Sequence, residues 1–334
     1  MRAIVIREPG GPDVLEVREV PDPVMPFGHV RVAVRFVGCN RADLLQRAGF
    51  YPAPPGVPAD IPGLEYAGTV EALGPGATRF TVGQRVFGLV GGGAYAEKLV
   101  VHEREAALVP DALGDEAAAA VPEAFVTAYD AMVVRGRLAP GERVLVHAAG
   151  SGVGTAGIQI ARALGCFVVG TSRTADKLAR CTELGLSAGV VPKGSAFAAD
   201  VLAATSGAGV DVILDLVGGA YVGENLKACA RRARVVVVGL TGGLFGEINL
   251  GQLLDRRAEI IGTVLRSRPL EEKIEAARLL ERNLCPWLAA GVVRPVIDRV
   301  FEFADAPAAH EYLAGNTSFG KVLLRVGAPA RAGD

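Results

Sequence analysis

The segment Arg143-Val-Leu-Val-His-Ala-Ala-Gly-Ser-Gly-Val-Gly-Thr-Ala-Gly157 constrains this chain more than any other. An apolar strand runs into a turn of small residues and then into a helix carrying Ile158, Ile160, Ala161 and Leu164. A turn without bulky Cβ substituents lets a diphosphate approach the backbone, and the helix start adds free N–H groups and a favourable dipole. Gly150, Ser151, Gly152, Val153 and Gly154 are the candidate contacts. The glycine pattern fits in two registers: Ala149, Ser151 and Gly154 if the helix entry is aligned, or Gly152, Gly154 and Gly157 by literal match. The bland reading is a tight strand-to-helix turn with no ligand; the βαβ setting argues against it.

The end of the next strand bears on which dinucleotide fits. A site for an unphosphorylated ribose places Asp or Glu about 20 residues past the loop. Here the segment is Gly170-Thr-Ser-Arg-Thr-Ala-Asp-Lys177, with no acid at the strand tip. Ser172 offers a donor and Arg173 and Lys177 offer cations, which favours a 2′-phosphate and therefore NADPH. The alternative is a solvated helix-start face with Asp176 as its first-turn acid.

Around this turn, short apolar runs alternate with helical stretches: Arg143–His147, Phe167–Thr171, Val210–Leu216, Arg234–Gly239 and Glu259–Val264. Alternation of that kind predicts parallel strands joined by crossovers, a doubly wound α/β sheet. The first 110 residues differ. Val30, Val32, Val34 and Phe36 alternate, further alternation appears at 67–73 and 94–101, and Pro/Gly clusters separate the runs, which predicts an irregular antiparallel barrel. Asp115 is the expected N-cap of a helix running toward Met132. A long amphipathic helix is expected from Leu270 to Ala290, then strands Val296–Phe303 and Lys321–Arg325, like the opening section in type. The expected organisation is a β-rich domain made of 1–125 and 266–334, with a dinucleotide domain, 126–265, inserted into it.

Composition narrows the function classes. The chain has 334 residues, with 35 basic against 36 acidic side chains, so a nucleic-acid partner is not expected. No apolar run is long enough to span a bilayer, and the start lacks a signal-peptide pattern, so a cytoplasmic location is expected and no membrane partner. Five widely spaced cysteines, with no CxxC pair, read as reduced thiols.

Several motifs resemble those of zinc-independent quinone oxidoreductases of the medium-chain dehydrogenase/reductase superfamily, with the p53-inducible subfamily most similar. They are Phe36-Val-Gly-Cys-Asn-Arg-Ala-Asp-Leu44, Tyr51-Pro-Ala-Pro-Pro-Gly56, Pro62-Gly-Leu-Glu-Tyr-Ala-Gly68, Pro122-Glu-Ala-Phe-Val-Thr-Ala-Tyr129, the glycine turn and Leu265-Arg-Ser-Arg268. The resemblance runs from the first strand to Gly320-Lys321. It implies a GroES-like barrel carrying an inserted Rossmann domain. Asn40, Leu64 and Glu123 stand where zinc-bearing relatives place ligands; Leu64 cannot ligate and Asn40 is a poor ligand, so no metal is expected.

The same resemblance implies a small-molecule quinone or enone substrate in a cleft between the domains, beside Asn40, Asp43 and Tyr51. Tyr51 would donate a hydrogen bond or a proton to a developing oxyanion. Capping is the competing role for Asn40 and Asp43, and loop packing for Tyr51; Glu65 is expected to be structural. Further cofactor contacts are implied for Thr127, Gly239, Leu240, Leu265, Arg266, Ser267, Ser318 and Lys321. Ser318 stands where relatives often carry Asn, and Pro192 replaces a Tyr that flanks the adenine ribose in several of them. A homodimer through the edge of the dinucleotide sheet is implied as well. The expected activity is NADPH-dependent quinone reduction; the alternatives are a zinc-free alkene or enoyl reductase, or an NADPH-binding protein with little turnover.

Overall fold

In a computed structural model, which describes residues 1–327, the chain divides into two compact units. One comprises 1–126, 265–291 and 295 onward; the other comprises 127–264 and 292–294. The last seven residues of the expected 266–334 segment lie outside the described residues.

The first unit opens with an antiparallel hairpin of β1 (Arg2–Ile6) and β2 (Leu15–Glu19). Then come β3 (His29–Cys39), α1 (Arg41–Arg47), β4 (Glu65–Leu73), β5 (Arg85–Leu89), β6 (Lys98–His102) and β7 (Ala106–Leu108). The alternation of β3 is a burial pattern through Val30, Val32 and Val34; a register shift between Val34 and Phe36 then puts Val37 in the core and leaves the expected Phe36 half-buried, within a core that includes Tyr66, Val70, Val86 and Tyr95. Two short helices follow, α2 (Asp115–Ala119) and α3 (Pro122–Tyr129), the latter crossing from the first unit into the second. One continuous helix from Asp115 was expected. Instead Gly114 is the N-cap, the Asp115 carboxylate pairs with Arg85 at 2.7 Å, and Pro122, which has no N–H to give to the preceding turn, starts a new helix.

In the second unit, β8 (Arg143–Val146), α4 (Gly152–Ala163), β9 (Phe167–Thr171), α5 (Ala175–Thr182), β10 (Ala188–Val190), α6 (Ala198–Ala204), β11 (Val210–Asp215), α7 (Tyr221–Ala228), β12 (Cys229–Val237), α8 (Leu250–Arg256) and β13 (Glu259–Gly262) alternate as the apolar runs require. The sheet is six-stranded, in the order β10-β9-β8-β11-β12-β13, and every pairing is parallel. β10 is the strand that patterning did not anticipate; three residues are too few to show a period. The order reverses at β8, which lies between β9 and β11, so the turn after β8 sits at the topological switch point where such sheets bind ligands.

The tail forms α9 (Leu270–Leu279), a π-helical turn and α10 (Cys285–Ala289), then β14 (Ile297–Glu302), α11 (Ala306–Ala314) and β15 (Lys321–Arg325). β15 pairs antiparallel with β3 and parallel with β14, giving a seven-stranded sheet in which β6 also pairs β3. The tail therefore completes the first unit's sheet. Its return places Lys321 beside the end of β3.

Candidate active site

The glycine turn of the second unit is built by backbone bonds. Ala149 N–H donates to Thr171 O at 2.9 Å and Ser151 N–H to Ala148 O at 2.8 Å. Ala148 bends the chain at a positive φ of 47°. Ser151 is the N-cap of α4, its Oγ accepting from Gly154 N–H at 3.0 Å. The N–H groups of Gly152 and Val153 are left at the open end of the helix, in the place where an anion is held. Gly154 has to be glycine, because a Cβ there would lie 2.4 Å from Ala148 O. Gly154 belongs to both registers; Ala149 and Ser151 precede α4, whereas Gly152 and Gly157 lie within it.

A buried polar chain supports the turn from below. His147 meets Thr171 Oγ1 at 2.8 Å and Asn225 Oδ1 at 2.7 Å, and Asn225 donates to Asp215 at 2.8 Å. Burial pushes the imidazole pKa down, which keeps the ring neutral. At the end of β9, Ser172 is buried while Arg173 is exposed and Lys177 half-buried. Gly239 and Leu240 follow β12, and a Cβ on Gly239 would lie 2.7 Å from Leu216 O. Thr127 lies on α3, 7 % exposed.

The remaining predicted residues lie in the first unit, where a buried network gathers several of them. Asn40 caps α1, and its N–H donates to Asp43 Oδ2 at 2.7 Å; Gly63 N–H donates to the other Asp43 oxygen at 3.1 Å. Asp43 is fully buried, and burial raises its carboxyl to about 6 against the pull of those two donors. Its carboxylate closes the helix start, so its geometry is that of a cap.

Glu65, at the start of β4 and fully buried, is bound on both oxygens. Lys321 Nζ stands 2.6 Å from Oε1, Asn40 Nδ2 donates to the same oxygen at 2.9 Å, and Glu123 N–H donates to Oε2 at 2.8 Å. Lys321 also donates to Asn40 Oδ1 at 2.6 Å and to Cys39 O at 3.2 Å. Gly38 makes the room: a Cβ there would lie 2.0 Å from Glu65 Oε1.

Two residues expected at the cofactor are thus turned into this protein interior. Lys321 holds Glu65 and Asn40. Arg266, 6 % exposed, donates to Gly91 O at 2.8 Å, to Tyr51 O at 3.0 Å and to Gln46, with its guanidinium 4.9 Å from the centre of the Tyr51 ring. The ring is pinned, while no partner to the Tyr51 hydroxyl is found among the described residues. Leu265 is half-buried, Ser267 exposed and Ser318 buried.

The Glu65–Lys321 pair and Glu123 are what sequence reading did not bring together. Lys321 is 281 positions from Asn40, and nothing local announces the pairing. Glu123 carried two signals, its place in the Pro122-Glu motif and at a ligand position of zinc-bearing relatives. The donor set does not fit zinc: Leu64 is apolar and buried, burial raises the Cys39 thiol to about 12, and a fixed ammonium lies at the carboxylate. Among the described residues no group of three or more His, Cys, Asp or Glu side chains is arranged to hold a metal ion. No helix among them is long and apolar enough to cross a membrane.

Two family models match the chain, an alcohol dehydrogenase GroES-like domain over residues 27–111 and a zinc-binding dehydrogenase over 152–282. A solved NAD-dependent alcohol dehydrogenase is 32 % identical, with 98 % of this chain and 100 % of that one covered and a TM-score of 0.88. This chain belongs to the medium-chain dehydrogenase/reductase superfamily. Other structures similar to this dehydrogenase/reductase are the NADPH complex of Escherichia coli quinone oxidoreductase, 29 % identical over 98 % of this chain and 100 % of that one with a TM-score of 0.87, and a 2-haloacrylate reductase, 30 % identical over 98 % and 100 % with a TM-score of 0.83. The quinone oxidoreductase of Pseudomonas aeruginosa is 41 % identical over 169 residues, 50 % of this chain and 51 % of that protein. The chain thus spans about half the length of that curated relative.

In this dehydrogenase/reductase, Lys321→Met leaves the Glu65 carboxylate buried without its cation. It is expected to lower unfolding free energy by about 3–5 kcal/mol, read by urea denaturation. Adding Glu65→Gln should restore much of the loss; a double variant as unstable as the single one contradicts the pairing.

Proposed function

We propose that this chain is an NADPH-dependent oxidoreductase that reduces quinones without a metal. The observation that carries the reading is the buried Lys321 ammonium bonded to Cys39 O, Asn40 and Glu65, with Asn40 at one of the three positions where metal-bearing relatives keep ligands. Without a Lewis acid, alcohol oxidation lacks its means of stabilising an alkoxide. A quinone is already electrophilic, so the protein has chiefly to position it and supply a proton. The E. coli relative's NADPH complex supports the nicotinamide cofactor.

The residues present fit that cofactor. Gly150, Ser151, Gly152, Val153 and Gly154 would hold the diphosphate, and the open helix start supplies its donors. Ser172, Arg173 and Lys177 would take the 2′-phosphate. Thr127, Gly239, Leu240, Leu265, Ser267 and Ser318 would line the remainder. Bound NADPH supplies a hydride. Tyr51, whose ring Arg266 fixes, would direct its hydroxyl to the substrate oxygen, while Asn40, Asp43 and Lys321 keep the surrounding backbone in place. The homodimer reading gains support from the edge strand β13, which among the described residues pairs only β12, and from exposed Ile260, Val264, Leu250 and Leu254.

A metal-free site also suits reduction of an α,β-unsaturated carbonyl, and the 2-haloacrylate reductase favours keeping that second reading. Oxidation of NADPH with 1,2-naphthoquinone and with a 2-enal separates the two; turnover of the enal alone overturns quinone reduction. Arg173→Ala should raise the KM for NADPH about tenfold, the loss of one charge-assisted hydrogen bond, and leave that for NADH unchanged. Equal effects on both would remove the 2′-phosphate role. Light scattering should give twice the chain mass, and a monomer would refute the edge pairing.

A further inference from the structure

Counting charges in the buried network of the first unit singles out one carboxyl. Around Glu123 stand Glu65 from β4, Asp43 from α1, Lys321 from β15, Arg266 from the segment after β13 and, from the loop after α1, Tyr51. Three acids therefore face two cations, in surroundings that penalise an uncompensated charge. One acid has to be neutral.

The hydrogen bonds identify which. Asp43 accepts from two backbone N–H groups, Asn40 and Gly63. Glu65 accepts from Lys321, Asn40 and the Glu123 N–H. These two carboxyls therefore take up the donors of the network. The Glu123 carboxyl receives no hydrogen bond from any described residue. The Lys321 ammonium is taken up by Glu65, and the Arg266 guanidinium points to Gly91 O, Tyr51 O and Gln46. Burial, and after it the Glu65 charge, push the Glu123 carboxyl up to about 8. Glu123 nevertheless keeps some exposed surface, so its proton can be replaced from solvent.

We propose that Glu123 is the proton donor to the substrate. The inference rests on the reading of the chain as a nicotinamide-dependent reductase. The reduction balances as follows: two electrons and one hydrogen arrive as hydride from NADPH, and the Glu123 O–H bond breaks as an O–H bond forms on the quinone oxygen, or a C–H bond at the α-carbon of an enone. Water reprotonates the glutamate. Tyr51 is the weaker source, because burial raises its phenol above the ordinary value; its part is to orient the substrate oxygen. Thr127 lies one helical turn along α3 from Glu123, on the same face. That places the donor beside a residue assigned to the cofactor.

Glu123→Gln tests this, since the amide keeps the size and neutrality of the acid and the backbone N–H that binds Glu65. With the better of the two substrates, wild-type kcat/KM should be flat at neutral pH and fall as pH rises through about 8, where the carboxyl loses its proton. In the variant that alkaline fall should vanish and kcat drop about a hundredfold, in the range of a lost general acid. NADPH affinity, measured by fluorescence titration, should stay the same. A variant with wild-type kcat, or one that keeps the alkaline fall, overturns the donor assignment. A wild type that oxidises NADPH with neither substrate overturns the reductase reading instead. The wild-type infrared spectrum should show the carbonyl stretch of a protonated acid that Glu123→Gln lacks, and its absence at neutral pH refutes the neutral glutamate whatever the turnover.

Discussion

The ion pair between Lys321 and Glu65 is the interaction on which the first unit's site depends. A carboxylate with no solvent access is tolerable only with a cation and hydrogen bonds on both oxygens, and Glu65 has them. The consequences are geometric. Bonded to Glu65, Asn40 is fixed at the start of α1; bonded to the Glu123 N–H, Glu65 fixes the start of α3. The tail has to return and pair with β3, because only then does Lys321 reach Cys39 O. One buried charge thus ties together a strand end, two helix starts and the last strand. The proposed chemistry follows from the same arrangement, since the ammonium that neutralises Glu65 is not available to Glu123.

The second unit poses a different problem, that of shaping a backbone turn suited to the proposed diphosphate. Parallel order puts β8 at the switch point, Ala148 takes the positive φ, and Gly154 permits the close return past Ala148 O. Beneath, His147, Asn225 and Asp215 satisfy one another in a fully buried chain. A polar network of this kind makes the turn rigid before any ligand arrives, which reduces the ordering cost of binding.

Much of this was legible in the sequence where the signal is local. The period-two alternation of Val30, Val32 and Val34, and the strand-turn-helix around Gly150–Gly154, are written in consecutive residues. The parallel sheet followed from alternation alone, and the superfamily from motifs spread over the chain. The break between α2 and α3 is set by Pro122, whose missing N–H a motif match does not register. β10 was missed because three residues show no period. The Lys321–Glu65 pair was out of reach for a deeper reason: it is created by the tail's return, and register across a sheet is set by packing that no local pattern records. Glu123 was legible as a position but not as a chemistry, because its state depends on how many cations its neighbours consume.

The proposed metal-free reduction is tested most directly by metal content and turnover together. Protein dialysed exhaustively against a strong chelator should contain no stoichiometric zinc and should oxidise NADPH with its preferred substrate at the undialysed rate. Zinc bound in proportion to the chain, with activity lost on its removal and regained on its return, would contradict the account.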